Sequence, residues 1–193
     1  MNADIAELLQ RIRTLEEELE VQLALARAEL QVRVEDGRIA FEDAVRRRHQ
    51  KMKSQLLRYV LGARPLVLLS APVIYSLIFP LALLDLFITV YQWLCFPVYG
   101  IAKVRRRDYL VFDRRYLGYL NALEKINCAY CSYANGLIAY VREIGARTEQ
   151  YWCPIKHARK LAAAHPRYAE FVDYGDAEAW RNDSAELRRK LRK

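Results

Sequence analysis

Residues 65–102 read PLVLLSAPVIYSLIFPLALLDLFITVYQWLCFPVYGIA, with a single charged side chain, Asp85. As one continuous helix these residues would measure about 57 Å, nearly twice the ~30 Å of a bilayer's hydrocarbon layer. Pro72, Pro80 and Pro97 each remove a backbone hydrogen bond and invite a kink. Pro80 lies near the middle, so a turn there leaves arms of about 16 and 20 residues. Basic residues bracket the stretch: Arg46, Arg47, Arg48, Lys51, Lys53, Arg58 and Arg64 precede it, and Lys103, Arg105, Arg106, Arg107, Arg114 and Arg115 follow. Lys and Arg near a span prefer the cytoplasmic side, and a single crossing would force one cluster outward. The reading is therefore a proline-kinked membrane hairpin or re-entrant segment, with a single span as the alternative. Asp85 would cost ~3 kcal/mol at mid-bilayer, whereas at a hairpin apex it reaches headgroups or water. Tyr75, Tyr91, Trp93 and Tyr99 suit interfacial positions. A soluble helical pair is a further alternative. It needs a partner surface for Leu66, Ile74, Phe79 and Leu83 that the rest of the chain is too polar to supply.

Charge divides the 193 residues into three: it crowds residues 1–64 and 103–193 and nearly vanishes between them, for a formal net +8. The expected organisation is mainly α, with a cytosolic coiled-coil and basic helical region at 1–63, the membrane segment at 64–102, and a cytosolic helical Cys/His domain at 103–193. The N-terminus, MNADIAELLQ, lacks the basic start and apolar core of a signal peptide, so this region is expected to stay in the cytoplasm. Ile5, Leu8, Ile12, Leu15, Leu19, Leu23, Ala26 and Leu30 recur at three- and four-residue steps, a coiled-coil stripe of about four heptads. It predicts self-association, a partner helix, or packing back on its own chain, with Asn2 or Asp4 as the cap. Asp36-Gly37 reads as a turn between helices, with a short hairpin as the alternative, and Phe41–Leu61 as a basic helix. Basic runs beside an apolar segment suit anionic headgroups, so a lipid bilayer is the expected partner and nucleic acid is not.

Cys128, Cys131, Cys153 and His157 carry the chemistry. Their spacing is C-x2-C, a gap of 21 residues, then C-x3-H. From Tyr116 through Leu120, Leu123, Asn127, Tyr130, Ala134 and Val141 a helical stripe places Cys128 and Cys131 on one face. Pro154 suits the first turn of a new helix, which sets Cys153 and His157 four apart on a second face. Two such claws can converge on a tetrahedral ion, and zinc accepts three thiolates and one imidazole. An Fe–S cluster is the alternative ion site; Ser132, where a haem attachment motif has histidine after the second cysteine, argues against haem. Unbound buried thiols, a redox dithiol and disulfides are the readings without metal, and Cys95 is a packing residue or a lipidation candidate. Glu143, Arg147, Glu149 and Asn135 between the claws are expected second-shell groups or plain helix solvation, with Glu143 and Arg147 an i,i+4 ion pair.

The segment KVRRRDYLVFDRRYLGYLNALEKINCAYCSYANG, with the later ARTEQYWCPIKHA, resembles a group of uncharacterised bacterial membrane-associated proteins. The resemblance covers residues 103–159 and much of the apolar stretch. It implies a bacterial source and an inner-membrane address, with no reaction. No catalytic set can be read from the chain. The expectation is a membrane-anchored assembly protein with a structural zinc and both termini cytoplasmic, against a membrane-face redox or electron-transfer protein or a lipid-handling one.

Overall fold

The N-terminal stripe folds as one helix, α1 (Ala3–Glu29), followed by strands β1 (Val32–Glu35) and β2 (Arg38–Phe41) and helix α2 (Asp43–Lys51). These elements belong to a computed structural model that describes residues 3–29, 32–35, 38–41, 43–53, 62 and 64–192. The strands pair antiparallel from Val32 opposite Phe41 to Glu35 opposite Arg38. The hairpin alternative is thus the one adopted, because β-branched and aromatic residues flank a two-residue connection. Of the helix expected over Phe41–Leu61, α2 covers Asp43–Lys51. Asn2, Asp36, Gly37 and residues 54–61 lie outside the described residues.

Two compact units divide the chain: Met1–Leu61 with Asp113–Lys125, and Gly62–Phe112 with Ile126–Lys193. In the first, β2 meets the 3-10 turn Asp113–Tyr116. His49 sets its ring edge-on to Tyr119 at 5.0 Å.

The second unit is built on the apolar stretch, and there the hairpin expectation fails. Helices α3 (Pro65–Ser76) and α4 (Ile78–Tyr99) are separated by Leu77 alone, whose φ −62° and ψ −13° remain right-handed helical. Leu81 N still donates to Leu77 O at 3.2 Å. Pro80 is the third residue of α4, so its missing N–H and its ring disturb only the turn before it, at Ser76 and Leu77. Together α3 and α4 form one helix, Pro65–Tyr99, 35 residues long and apolar enough to cross a membrane. Gly100 ends it in the left-handed region (φ 67°), and Ile101 N donates to Phe96 O at 2.8 Å, a glycine-capped terminus.

Helix α5 (Ala122–Trp152) lies along this apolar helix. Tyr75 donates to Asn127, Tyr133 to Asp85 at 3.1 Å, Gln92 to Tyr140 at 2.8 Å, and the Tyr99 ring packs on Tyr151 at 5.1 Å. Residue numbers rise together on both helices, so they run parallel. The connection must therefore return antiparallel along them, and it does: Val104 bonds to Gln92, Arg106 to Asp85, and Tyr109–Leu110 pass Gly136. Phe96, Ile101, Val104, Leu110, Leu137, Tyr140, Ile144 and Leu191 form the buried core of these three layers. Helix α6 (Ala177–Arg189) starts at an Asp176 cap, and the turn after it delivers Leu191, whose carbonyl accepts from Ala102 N at 2.8 Å. That bond pins the charged C-terminal turn to the segment after Gly100. The chain is mainly helical, as its periodicity implies.

Two glycines on α5 separate close packing from propensity. A Cβ on Gly136 would sit 2.6 Å from the Tyr109 carbonyl oxygen and 3.2 Å from Leu110 Cα, whereas one on Gly145 would meet nothing within 4 Å. Gly136→Ala should lower stability by about 1–3 kcal/mol through backbone overpacking. Gly145→Ala should raise it by about 1 kcal/mol through helix propensity. Denaturant unfolding followed by circular dichroism reads both, and equal signs would contradict this account.

Candidate functional site

Asn121 and Glu124 open α5 with a capping box: Glu124 N donates to Asn121 Oδ1 at 3.0 Å, and Asn121 N donates to Glu124 Oε2 at 2.7 Å. The helix therefore starts six residues after the expected Tyr116 and then continues without interruption to Trp152. That continuity decides the fate of the cysteines. Cys128 is half-buried and Cys131 exposed in its first third, while Cys153 follows its last residue, with its amide donating to Glu149 O at 2.7 Å. At 1.5 Å per residue, Cys131 and Cys153 are about 32 Å apart along the axis.

The second claw does not form either. Pro154 begins no helix: Ile155 makes a parallel bridge with Val172, Lys156 N donates to Val172 O at 2.7 Å, and Val172 N donates to Pro154 O at 2.9 Å. His157 stacks on Tyr168, centroids 6.2 Å apart, and its amide donates to the Tyr168 hydroxyl. Among the described residues no three His, Cys, Asp or Glu side chains are grouped to hold a metal ion. The four expected ligands do not fit one zinc ion or one Fe–S cluster within a chain, because the helix carrying Cys128 and Cys131 runs on unbroken to Trp152.

The expected second shell is nonetheless a built network. Glu143, 14% exposed, accepts from Arg147 Nε at 2.8 Å, the anticipated i,i+4 pair, and from Arg167 Nη2 at 2.8 Å. Arg167 also donates to Gln150 Oε1 at 3.0 Å, Gln150 donates to Leu187 O at 2.8 Å, and Arg147 donates to Ala102 O. One carboxylate thus ties α5 to the return segment, to the 3-10 turn Pro166–Glu170, and through Gln150 to the end of α6. Glu149 takes His165 Nε2 at 2.9 Å, and Asn135 bonds back to the Cys131 carbonyl on its own helix. These groups fasten elements of the fold to one another.

Asp85 is placed differently from expectation too. It faces the packed side, 15% exposed, and accepts from Arg106 Nη2 at 2.6 Å and from the Tyr133 hydroxyl at 3.1 Å. Of the basic residues assigned to the membrane surface, Arg47 and Arg48 are exposed on α2 and Arg105 and Arg107 on the return segment, while Arg106 is committed to Asp85. Arg46 lies in α2, its side chain outside the described set. Gln92, missed in the sequence, is buried and donates to Tyr140 and to Val104 O. A signal for it existed: Gln92 is the one carboxamide in residues 65–102, seven residues after Asp85 and so on the same helical face.

No family model matches the chain, and no curated protein and no solved structure does so either.

Two measurements test this geometry. Cys128→Ser should leave melting behaviour and metal content unchanged, with elemental analysis of the unaltered protein finding well under one zinc per chain. Stoichiometric zinc lost on that substitution would restore the single-ion site. For Glu143, burial pushes the carboxyl pKa up, but hydrogen bonds from Arg167 and Arg147 and their charges outweigh it and hold the group below its ordinary 4.5. A depressed folded-state value stabilises above the unfolded value, and that contribution is lost as pH falls through the folded one. Stability should therefore drop on acidification below about pH 4.5. Glu143→Gln should cost about 2 kcal/mol at neutral pH and flatten that acid limb.

Proposed function

We propose that this protein is a membrane-attached assembly module on the cytoplasmic face of a bacterial inner membrane. It holds the bilayer through the Pro65–Tyr99 helix and recruits a second copy or a partner helix through α1. The observation that carries the reading is the outer side of the apolar helix: Leu66, Leu69, Val73, Phe79, Phe87 and Val98 are all more than half exposed, while Tyr75, Asp85 and Gln92 turn inward. Exposed side chains of that size lose favourable burial of about 1.5–3 kcal/mol each, and lipid restores it. α1 supports the recruiting role. Leu8, Ile12, Leu15, Leu19 and Leu23 form one stripe, and all are exposed. A two-turn repeat of that kind is satisfied by another helix.

Fractionation of cells expressing the full chain tests attachment: the protein should remain in the membrane pellet through alkaline carbonate and leave only with detergent. Recovery in the soluble fraction without detergent would end the proposal. Leu15→Glu with Leu19→Glu should halve the apparent mass in detergent, or abolish partner capture, without releasing the protein from membranes.

A further inference from the structure

We propose that the apolar helix lies in the plane of the membrane, its outer face sunk into one leaflet, and does not cross the bilayer. This rests on the membrane attachment proposed above and specifies its geometry. From Leu66 to Val98 the exposed face runs about 48 Å, well beyond the ~30 Å of hydrocarbon a perpendicular helix needs. Length alone would permit a steep tilt. The neighbours forbid it.

α5 accompanies the helix from Tyr75, which bonds to Asn127, to Tyr99, which packs on Tyr151. Anything that carries α3 and α4 into hydrocarbon carries α5 and the return segment with it. A crossing made by Tyr75–Tyr99 would immerse Arg105, Arg107, Glu143 and Arg147, of which Arg105 and Arg107 are 68% and 78% exposed. A crossing made by the earlier residues 65–84 is no better. It would hold Tyr75 near mid-bilayer, and Asn127 beside it, with Glu124 and Lys125 less than a turn away on the same helix. Charges at that depth are strongly disfavoured.

Laid flat, the same structure has no conflict. Its outer face offers apolar side chains along the whole length, and Asp85 points away from the lipid, sealed by Arg106 and Tyr133. The return segment carries Arg105 and Arg107 out to solvent, where both pair with the one carboxylate of Asp108 and so keep a net positive charge that anionic headgroups complement. An in-plane helix also keeps both flanking basic clusters on the side of synthesis, which a single crossing cannot. The occupant of this face is thus a lipid surface of anionic composition.

Depth measurement decides it. Nitroxides placed singly at Leu66→Cys, Phe79→Cys and Val98→Cys, in a chain with the four native cysteines replaced by alanine, are read by oxygen and nickel-complex power saturation in phosphatidylglycerol-containing vesicles. The in-plane geometry gives three equal, shallow depths. A crossing or a hairpin puts Phe79 deeper than an end position by about 15 Å, half the hydrocarbon thickness, and overturns it. Should the cysteine-free chain misfold, tags on the two termini of the native sequence serve: digestion of both from the same side of sealed vesicles supports the proposal, and protection of one alone overturns it. Release into the soluble fraction without detergent is a different failure, since it removes the membrane attachment itself. A chain that stays bound but shows graded depths leaves attachment standing and sinks only the geometry.

Discussion

An extended segment threaded between two helices has no sheet partner for its backbone, and a buried peptide group left unpaired is costly. Here that segment is the return from Gly100, and one side chain solves its problem at Val104. The Gln92 carboxamide accepts from the Val104 N–H, donates to the Val104 carbonyl at 3.3 Å and donates to the Tyr140 hydroxyl at 2.8 Å. No other common side chain combines that donor and acceptor capacity at that length without charge. Because Gln92 fixes the segment to both helices at once, Ile101, Val104 and Leu110 fall into one core with Phe96, Leu137 and Ile144. Two helical turns earlier Asp85 makes the charged version of the same connection, with Arg106 and Tyr133.

This inward commitment of polar groups gives the apolar helix two unlike sides. In sequence the two are superimposed, and the stretch reads as uniformly apolar with one anomalous aspartate. Placing Asp85 at a hairpin apex followed from assuming that a carboxylate in such a stretch must seek water. A partner arginine from the downstream cluster does the same work, and the spacing of Asp85 from Gln92 was the legible hint that one face would be packed. The helical class, the Glu143–Arg147 pair and the stripe on α1 could all be read locally, because each depends on residues within a few turns.

What sequence could not deliver is whether a helix persists. Spacing puts Cys128 with Cys131 and Cys153 with His157, but their convergence needs a reversal somewhere between. The helix makes none: Gly136 stays helical and clears room for the Tyr109 carbonyl, a tertiary contact whose cause lies twenty-seven residues away in the chain. The side chains that looked like an outer shell around a metal are recruited to a mechanical end, with Glu143 holding Arg147 and Arg167 at the place where four segments meet. Charge pairs of this kind demand each partner, since a single unpaired member would be left desolvated.

The magnitudes rank the forces at the outer face. A basic residue near an anionic surface contributes roughly 1 kcal/mol, and salt screens it within about 10 Å. Each large apolar side chain transferred from water is worth about 1.5–3 kcal/mol, is indifferent to salt, and recurs along the whole Leu66–Val98 face. On the in-plane proposal, the apolar term therefore sets how firmly the chain holds lipid, and the basic return segment sets which way up it sits. Proline fits the same logic. Pro72, Pro80 and Pro97 are tolerated without breaking the helix because each removes only one backbone bond.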